Sequence, residues 1–481
     1  MTLKDKDDCN KKQTYEEKEL ELLRNAVDSL EKSTKSTKAQ SPIVKEVITI
    51  LEQFLKRKKL VCYGGTAINN ILPKKDQFYD RDVEIPDYDF YSPNAMADAK
   101  ELTDIYYKNG YESVEARAGM HHGTFKVFVQ FIPIADITQM ETAIFKSIVK
   151  ESIKIEGILY APVNFLRLNV YKELSRPAGD ISRWEKIYKR LNLLDKNYPI
   201  KHPKCDTIQF MRDFEGDPAI EKTLYTIVKN SIIKQKLVFI GGYASSLYGK
   251  YMNEHERKKV VDENNPDFDA LSEDPKASAN HIKKDLENAG FTKIKINQKP
   301  GIGEIIAPHY EIVVDKDTVC FIYEPMGCHS YNTITINKKK VRIATIDTML
   351  NLFLAFLYAD RPYYDHDRIV CMCEYLFNVQ IKNKLKQKGL LKRFGKDCYG
   401  TETTIETIRA TKAKKYIELK NNRNSKEYLD YFMKYDPSDK TRKKTQNTKK
   451  VKINVKKTIK KKPNTNTNTN TIFTKILQLI K

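Results

Sequence analysis

Leu60-Val61-Cys62-Tyr63-Gly64-Gly65-Thr66-Ala67-Ile68 is followed about twenty residues later by Ile85-Pro86-Asp87-Tyr88-Asp89-Phe90, and the order of these two stretches decides the fold. The apolar run Leu60 to Tyr63 has strand character, the glycine pair breaks it, and Thr66 to Leu72 carries no breaker and can begin a helix. A strand, a glycine turn and a helix start suit phosphate. Two glycines let the backbone come close, and the unpaired N–H groups of the helix start meet negative charge with the Thr66 hydroxyl beside them. Taken alone, the glycine pair reads first as a tight turn.

Asp87 and Asp89 alternate with apolar neighbours, so in a short strand both carboxylates leave one face roughly 6–7 Å apart. Such a pair can grip two divalent ions, which in phosphoryl transfer hold nucleotide phosphates, activate an attacking hydroxyl and neutralise the leaving pyrophosphate. A third carboxylate is needed. Asp136, in Ile134-Ala135-Asp136-Ile137, follows the long apolar run Thr124 to Ile132, read here as one strand. A carboxylate between apolar neighbours at a strand end is costly without a ligand; the alternative is a solvated turn.

With 481 residues, 40% of them hydrophobic, the chain is long enough for two or more domains plus tails. No segment approaches the length of apolar sequence that crosses a membrane, and Met1 to Asp8 lacks a signal-peptide core, which points to a soluble intracellular protein. The net charge of +22 implies a polyanionic partner. Twelve Lys or Arg and no acid lie between Lys440 and Lys462, so about half the excess sits on one tail. The eight cysteines show no Cys-x-x-Cys pair and suit a reducing setting. Cys371-Met372-Cys373, near His366, reads as buried thiols on a helix, with a zinc site as the alternative.

In chain order, Thr14 to Lys32 has helical spacing of Leu20, Leu23, Val27 and Leu30, an apolar stripe able to dock on the body. Ser33 to Gln40 reads as a polar linker, and Ser41-Pro42 opens a helix that ends at Lys56-Arg57-Lys58-Lys59. His121 and His122 read as turn residues. Trp184 is the only tryptophan, set among Arg176, Arg183 and Lys186; phosphate or RNA contact and a packing anchor are both open there. Lys382 to Lys396 reads as a basic helix. Asn464 to Thr471 is a low-complexity alternation inside a tail read as disordered, with a short apolar helix from Ile472 to Ile480.

The second half repeats the first. Leu237 to Ile240, Gly241-Gly242 and Tyr243 to Tyr248 restate strand, turn and helix start. Pro266-Asp267-Phe268-Asp269 repeats Pro86-Asp87-Tyr88-Asp89 at an offset of 180, and the register holds through Ser92/Ser272, Gly110/Gly290 and Tyr111/Phe291. The chain therefore reads as a tandem duplication of one α/β (α+β) unit, a mixed sheet flanked by helices. Tyr243 replaces the small hydroxyl of Thr66, and the third acid is expected near Ile322-Tyr323-Glu324-Pro325. The first copy is expected to be active and the second degenerate. The expected divisions are an N-terminal helix and linker (1–40), a catalytic unit (41–200), a second unit (201–435) and a basic tail (436–481).

Gly64-Gly65-Thr66, Pro86-Asp87-Tyr88-Asp89 and Asp136 resemble the pattern of the polymerase-β-like nucleotidyltransferase superfamily. Glu173-Leu174-Ser175-Arg176-Pro177 to Arg183-Trp184-Glu185-Lys186, with the second copy, narrows the resemblance to the poly(A) polymerase catalytic subunits of poxviruses and giant nucleocytoplasmic DNA viruses, over roughly residues 40–435. The gap between Gly65 and Asp87 departs from compact members and makes Pro73 to Glu84 an insertion. The resemblance implies template-independent transfer of AMP from ATP to the single-stranded 3′ end of mRNA. Asp87, Asp89 and Asp136 would hold two Mg²⁺ or Mn²⁺ ions, Gly64, Gly65 and Thr66 the β- and γ-phosphates, and Arg176, Arg183 and Lys186 nucleotide or RNA. It also implies a processivity subunit or a homodimer as partner, and work in the viral factory of the host cytoplasm, with the virion a second location. Two rivals remain: a CCA-adding or oligoadenylate-synthesising transferase, and an RNA-binding scaffold of two dead copies.

Overall fold

The computed structural model describes residues 15–80, 85–208, 210, 218–258, 268–383 and 386–439. The described residues up to Tyr435 form one compact unit. The expectations for Asp267, for the basic run and for the apolar end of the tail fall outside the described residues.

Two eight-stranded sheets carry the body. The first comprises β1 (Val61–Tyr63), β2 (Tyr88–Ser92), β3 (Val114–Ala118), β4 (Thr124–Val129), β5 (Ile132–Gln139), β6 (Ile153–Ile155) and β7 (Ile158–Tyr160). The second comprises β8 (Val238–Ile240), β9 (Phe268–Leu271), β10 (Ile294–Lys299), β11 (His309–Val314), β12 (Asp317–Tyr323), β13 (His329–Ile336), β14 (Lys339–Ala344) and β15 (Cys398–Tyr399). A last strand, β16 (Lys434–Tyr435), returns to the first sheet beside β3. The strand orders are β16-β3-β4-β5-β2-β1-β7-β6 and β10-β11-β12-β9-β8-β14-β13-β15. From β3 to β6 and from β10 to β13 the order is the same, and every pairing has the same direction in both sheets. Local details follow suit: the Asn94 amide donates to Ser92 Oγ as the Asp274 amide does to Ser272 Oγ. Gly110 and Gly290 stand at φ +88° and +94°.

The helix Pro42–Lys58 buries Val44, Val47, Leu51, Phe54 and Leu55 along one face and ends at Lys59, whose φ of +53° breaks the helix and delivers the chain into β1. Its basic last turn offsets the helix dipole and pairs with the neighbouring helix, Arg57 with Glu101 at 2.6 Å and Lys58 with Asp98 at 2.8 Å. The halves meet where helix Val163–Leu174 packs on helix Ile346–Phe356, with the Phe165 and Tyr358 rings 5.0 Å apart.

Several expectations are corrected. Thr124 to Ile132 is not one strand: Gln130 and Phe131, at φ +49° and +68°, turn β4 into β5. That mirror-image turn is usually flagged by Asn or Gly, and neither is present. Asp136 therefore lies inside β5, not at a strand end. The first helix runs from Tyr15 to Ala39, taking in the supposed linker, and Leu20, Leu23, Val27 and Leu30 are exposed rather than docked. Of Lys382 to Lys396, only the end of helix His366–Asn383 and a single turn at Gly389–Leu391 are helical among the described residues; Arg393 is buried against Asp347, at 2.9 and 2.5 Å. The cysteines are not all thiols: Cys205 is bonded to Cys371 and Cys328 to Cys398, while Cys62, Cys320 and Cys373 are buried thiols outside these disulfides. Among the described residues, no helix is long and apolar enough to cross a membrane.

Candidate active site

The site is a row across four strands. The register pairs Tyr63 of β1 with Asp89 of β2, Asp89 with Asp136 of β5, and Asp136 with Lys126 of β4. Residues paired directly across strands share a face, so two carboxylates and an ammonium stand side by side. The Lys126 ammonium is bonded to Asp136. Asp87 precedes the same strand by one residue and is more exposed.

Gly64 ends β1 at φ +74° and opens helix Gly64–Ile71. A Cβ there would stand 2.5 Å from Asp89 Oδ2, so the glycine is what lets the carboxylate lie on the turn. A Cβ on Gly65 would meet Arg190 Nη2 and the Tyr79 hydroxyl, each at 2.8 Å. Arg190, from helix Trp184–Asn197, therefore lies over the turn; it donates to the Tyr79 hydroxyl at 2.5 Å, with its guanidinium 5.2 Å from the Phe78 ring centroid. Thr66 Oγ1 donates to the Asp87 carbonyl at 2.6 Å and so ties the acidic segment to the turn.

Burial, with Asp87 and Asp136 nearby, pushes the Asp89 carboxyl up to about 7, against the pull of Lys126 and Arg183. Asp87 is raised too, by desolvation first and by Asp136 second, with Lys126 and Lys186 opposing. A cluster of carboxylates that repel one another in a partly desolvated site fits divalent cations, which take oxygen ligands.

The row brings together Gly64, Asp89 and Asp136, with Asp87 beside them. Arg183 and Lys186 lie within electrostatic range of Asp89 and Asp87, although Arg183 is held by Glu173 at 3.3 Å. Arg176 is turned elsewhere, to Glu402 at 3.6 Å. Trp184 packs on Phe394 of the second half, ring centroids 5.5 Å apart, and its indole N–H donates to the Glu173 carbonyl, so the packing reading holds for it. His122 lies in the turn before β4, 4.6 Å from the Tyr431 ring. Lys126 and Arg190 were missed by the sequence reading. Arg183, Lys186 and Arg190 recur at i, i+3 and i+7, one helical face, which is the signal that finds Arg190. Lys126 becomes visible only once the β4–β5 turn is known.

The second sheet has the same row with other side chains: Ile240, Asp269, Phe321 and Glu311. Gly241 repeats Gly64, at φ +72° with a Cβ position that Asp269 Oδ2 blocks. The counterpart of Asp136 is thus Phe321, not a residue of Ile322 to Pro325. Tyr243 packs between Phe239 and Phe268, centroids 4.9 and 5.0 Å away.

Residues 49–180 match the family model of the poly(A) polymerase catalytic subunit. A protein of Acanthamoeba polyphaga mimivirus, named provisionally as a poly(A) polymerase catalytic subunit, is 31% identical over 217 residues, 41% of this chain and 35% of its own length. One of African swine fever virus, named in the same way, is 31% identical over 166 residues, 34% of this chain and 35% of its own length. The chain thus spans about a third of the length of the curated relatives it matches. The crystal structure of the Megavirus polyadenylate synthase superposes with a TM-score of 0.75 at 20% identity, covering 95% of this chain and 92% of that one. Through its first sheet this chain matches the poly(A) polymerase catalytic-subunit family, and over nearly its whole length it has the fold of that synthase.

Proposed function

We propose that this protein is a template-independent polynucleotide adenylyltransferase that adds AMP from ATP to the 3′ ends of mRNA, using the first sheet. The observation that carries the reading is the row Asp89–Asp136 beside Gly64, where a side chain is excluded by the carboxylate it would strike.

In this reading Asp87, Asp89 and Asp136 hold two Mg²⁺ or Mn²⁺ ions. Bound there, the cations would offset the carboxylate charge and stabilise the attacking oxygen and the leaving pyrophosphate. The turn at Gly64 and Gly65 receives the β- and γ-phosphates at the helix start, and Thr66 holds the Asp87 backbone beside it. Arg190, Arg183 and Lys186 supply positive charge on one helical face above the turn. Asp136 accepts the proton of the RNA 3′-hydroxyl; the 3′-oxygen bonds to the α-phosphorus as the bond to the β-phosphate oxygen breaks and pyrophosphate leaves. The Lys126 ammonium, bonded to Asp136, orients that carboxylate for the task.

The two sheets with one strand order support a tandem duplication, with 41–200 as the catalytic unit, 201–435 as the second and β16 closing back on the first. Phe321 in the place of Asp136 supports a second copy without catalysis, serving as scaffold or RNA platform. A homodimer or a separate subunit would then supply processivity.

The test is incorporation of each labelled NTP into a short single-stranded RNA with Mg²⁺ or Mn²⁺. Long ATP-specific 3′ extension, lost in Asp87→Ala/Asp89→Ala, is expected. Short mixed additions or 2′–5′ linkages would replace the reading with another transferase, and RNA binding without turnover would leave a scaffold.

A further inference from the structure

The segment that leaves the first half, Ile200 to Ile208, is fastened to helix His366–Asn383 of the second by a cluster that the adenylyl-transfer reading does not use. His202, Cys205 and Cys371 bring their ligand atoms within 4.8 Å of one another, the only such group of His, Cys or acidic side chains among the described residues. We propose that in the reduced protein these three residues bind one zinc ion, which clasps the linker between the two halves to the second half.

The placement of each group supports a ligand role. His202 Nδ1 lies 3.9 Å from Cys371 Sγ. In a tetrahedral zinc centre an imidazole nitrogen and a thiolate sulfur are about 3.6 Å apart and two sulfurs about 3.8 Å, so the imidazole needs only a small shift, while the sulfurs part once their bond is reduced. The other ring nitrogen, Nε2, faces Asp367 Oδ1 at 3.4 Å. A carboxylate behind a histidine fixes its tautomer and turns the other nitrogen towards a metal; here that is Nδ1, which also takes a long bond from the Lys204 amide at 3.4 Å. Asp367 is held in turn by Lys204 Nζ at 2.5 Å, and it stands four residues before Cys371 on one helical face. The backbone is set as well: the Cys205 amide donates to the His202 carbonyl at 3.2 Å, closing a turn that puts ring and thiol on one side, and the His202 amide donates to Glu374 at 2.8 Å.

A disulfide needs none of this. Cys205 and Cys371 are bonded here, as two thiols meant for one ion become when oxidised without it, yet the bond makes no use of the imidazole or of the carboxylate behind it. Cys328 and Cys398 are joined with no histidine completing a ligand group, and serve as the internal control. Cys373, two residues beyond Cys371, is buried on its own and falls outside the cluster, as does His366. His202 and Cys205 are partly exposed, so the fourth position of a tetrahedron opens to solvent and suits a water.

The test uses the full-length protein purified under a phosphine reductant without chelator. Metal analysis should find about one zinc per chain, and exchange for Co²⁺ should give thiolate-to-cobalt charge-transfer absorption. Both signals should fall by about half or more in Cys205→Ser and in His202→Ala, and persist in Cys328→Ser and in Asp89→Asn. Cys205→Ser, at a partly exposed position, keeps the test readable if Cys371→Ser fails to fold. Zinc retained in full by Cys205→Ser would show binding elsewhere and overturn the proposal. So would reduced protein that holds no zinc, or that keeps the Cys205–Cys371 bond under reductant. None of these readouts depends on polymerisation, so the site and the proposed activity fail separately.

Discussion

The two sheets present one row of four residues with opposite chemistry. In the first, Tyr63, Asp89, Asp136 and Lys126 set two carboxylates beside an ammonium; in the second, Ile240, Asp269, Phe321 and Glu311 keep the first acid, replace the second by a ring and the ammonium by a carboxylate. Phe321 is buried with His309, Tyr323 and Tyr363 around it, centroids 5.1 to 6.1 Å away. The scaffold is thus indifferent to what the row carries. If the first row is the catalytic one, it should cost stability that the filled row keeps, with the backbone the same.

The largest effect that follows is on activity. Asp89→Asn should lower RNA extension by about 10³-fold or more, about 4 kcal/mol of barrier, whereas Asp269→Asn should change it by less than about twofold. Single-turnover extension with saturating ATP reads both. Equal losses in the two variants would erase the distinction between the sheets.

Stability should show the reverse. Phe321→Ala empties a buried aromatic site and should cost about 3 kcal/mol in urea unfolding. Asp136→Asn removes one partner of the half-exposed Lys126 pair and should leave unfolding within about 1 kcal/mol while extension collapses. A large stability loss from Asp136→Asn would mean that the first row is structural after all.

How much of this was legible follows the same division. Strand, glycine turn, Asp-x-Asp and the 180-residue repeat are local patterns, and they placed Gly64, Asp89 and both sheets. The partner of Asp136 was not local. It depends on a two-residue turn at Gln130-Phe131 that carries no turn residue, and on strand register, which shifts at Val127/Phe128 in β4 and at Ile312/Val313 in β11. The third position of the second row was therefore sought a residue or more too late, at Ile322 to Pro325. The disulfide partners lie 166 and 70 residues apart, a separation that no spacing rule reaches.

Acid should act on the halves with opposite sign. Asp89, held near 7 in the fold, gains its proton as pH falls, and the folded state then binds more protons than the unfolded chain, where a carboxyl titrates near 4. From pH 7.5 to 5 this adds about 2–3 kcal/mol of stability in chelator. His329 of β13 is buried near Arg176 and Lys172 and pushed down to about 3, so over the same range the unfolded chain takes the proton and the fold loses about 2 kcal/mol. The wild type should be nearly flat in urea melts across this range. Asp89→Asn should become less stable towards pH 5, and His329→Leu more stable. Parallel slopes in the two variants would refute the opposition.

The smallest effect concerns how far the difference between the sheets extends past the acids. In the first, the turn is roofed by Arg190, stacked near Phe78 and bonded to Tyr79; in the second, Tyr243 packs on Phe239 and Phe268. Arg190→Lys keeps the charge but loses the planar fork and the aromatic contact. If Arg190 grips the triphosphate equally before and during transfer, the KM for ATP should rise about fivefold, about 1 kcal/mol, with kcat within about twofold. Tyr79→Phe removes only the hydroxyl that orients Arg190, so its effect should be smaller and in the same direction. A fall in kcat at constant KM would instead assign Arg190 to the charge that grows on the departing pyrophosphate, which makes the roof part of the chemistry and widens the gap between the two sheets. No change in either constant would confine the gap to the acidic row.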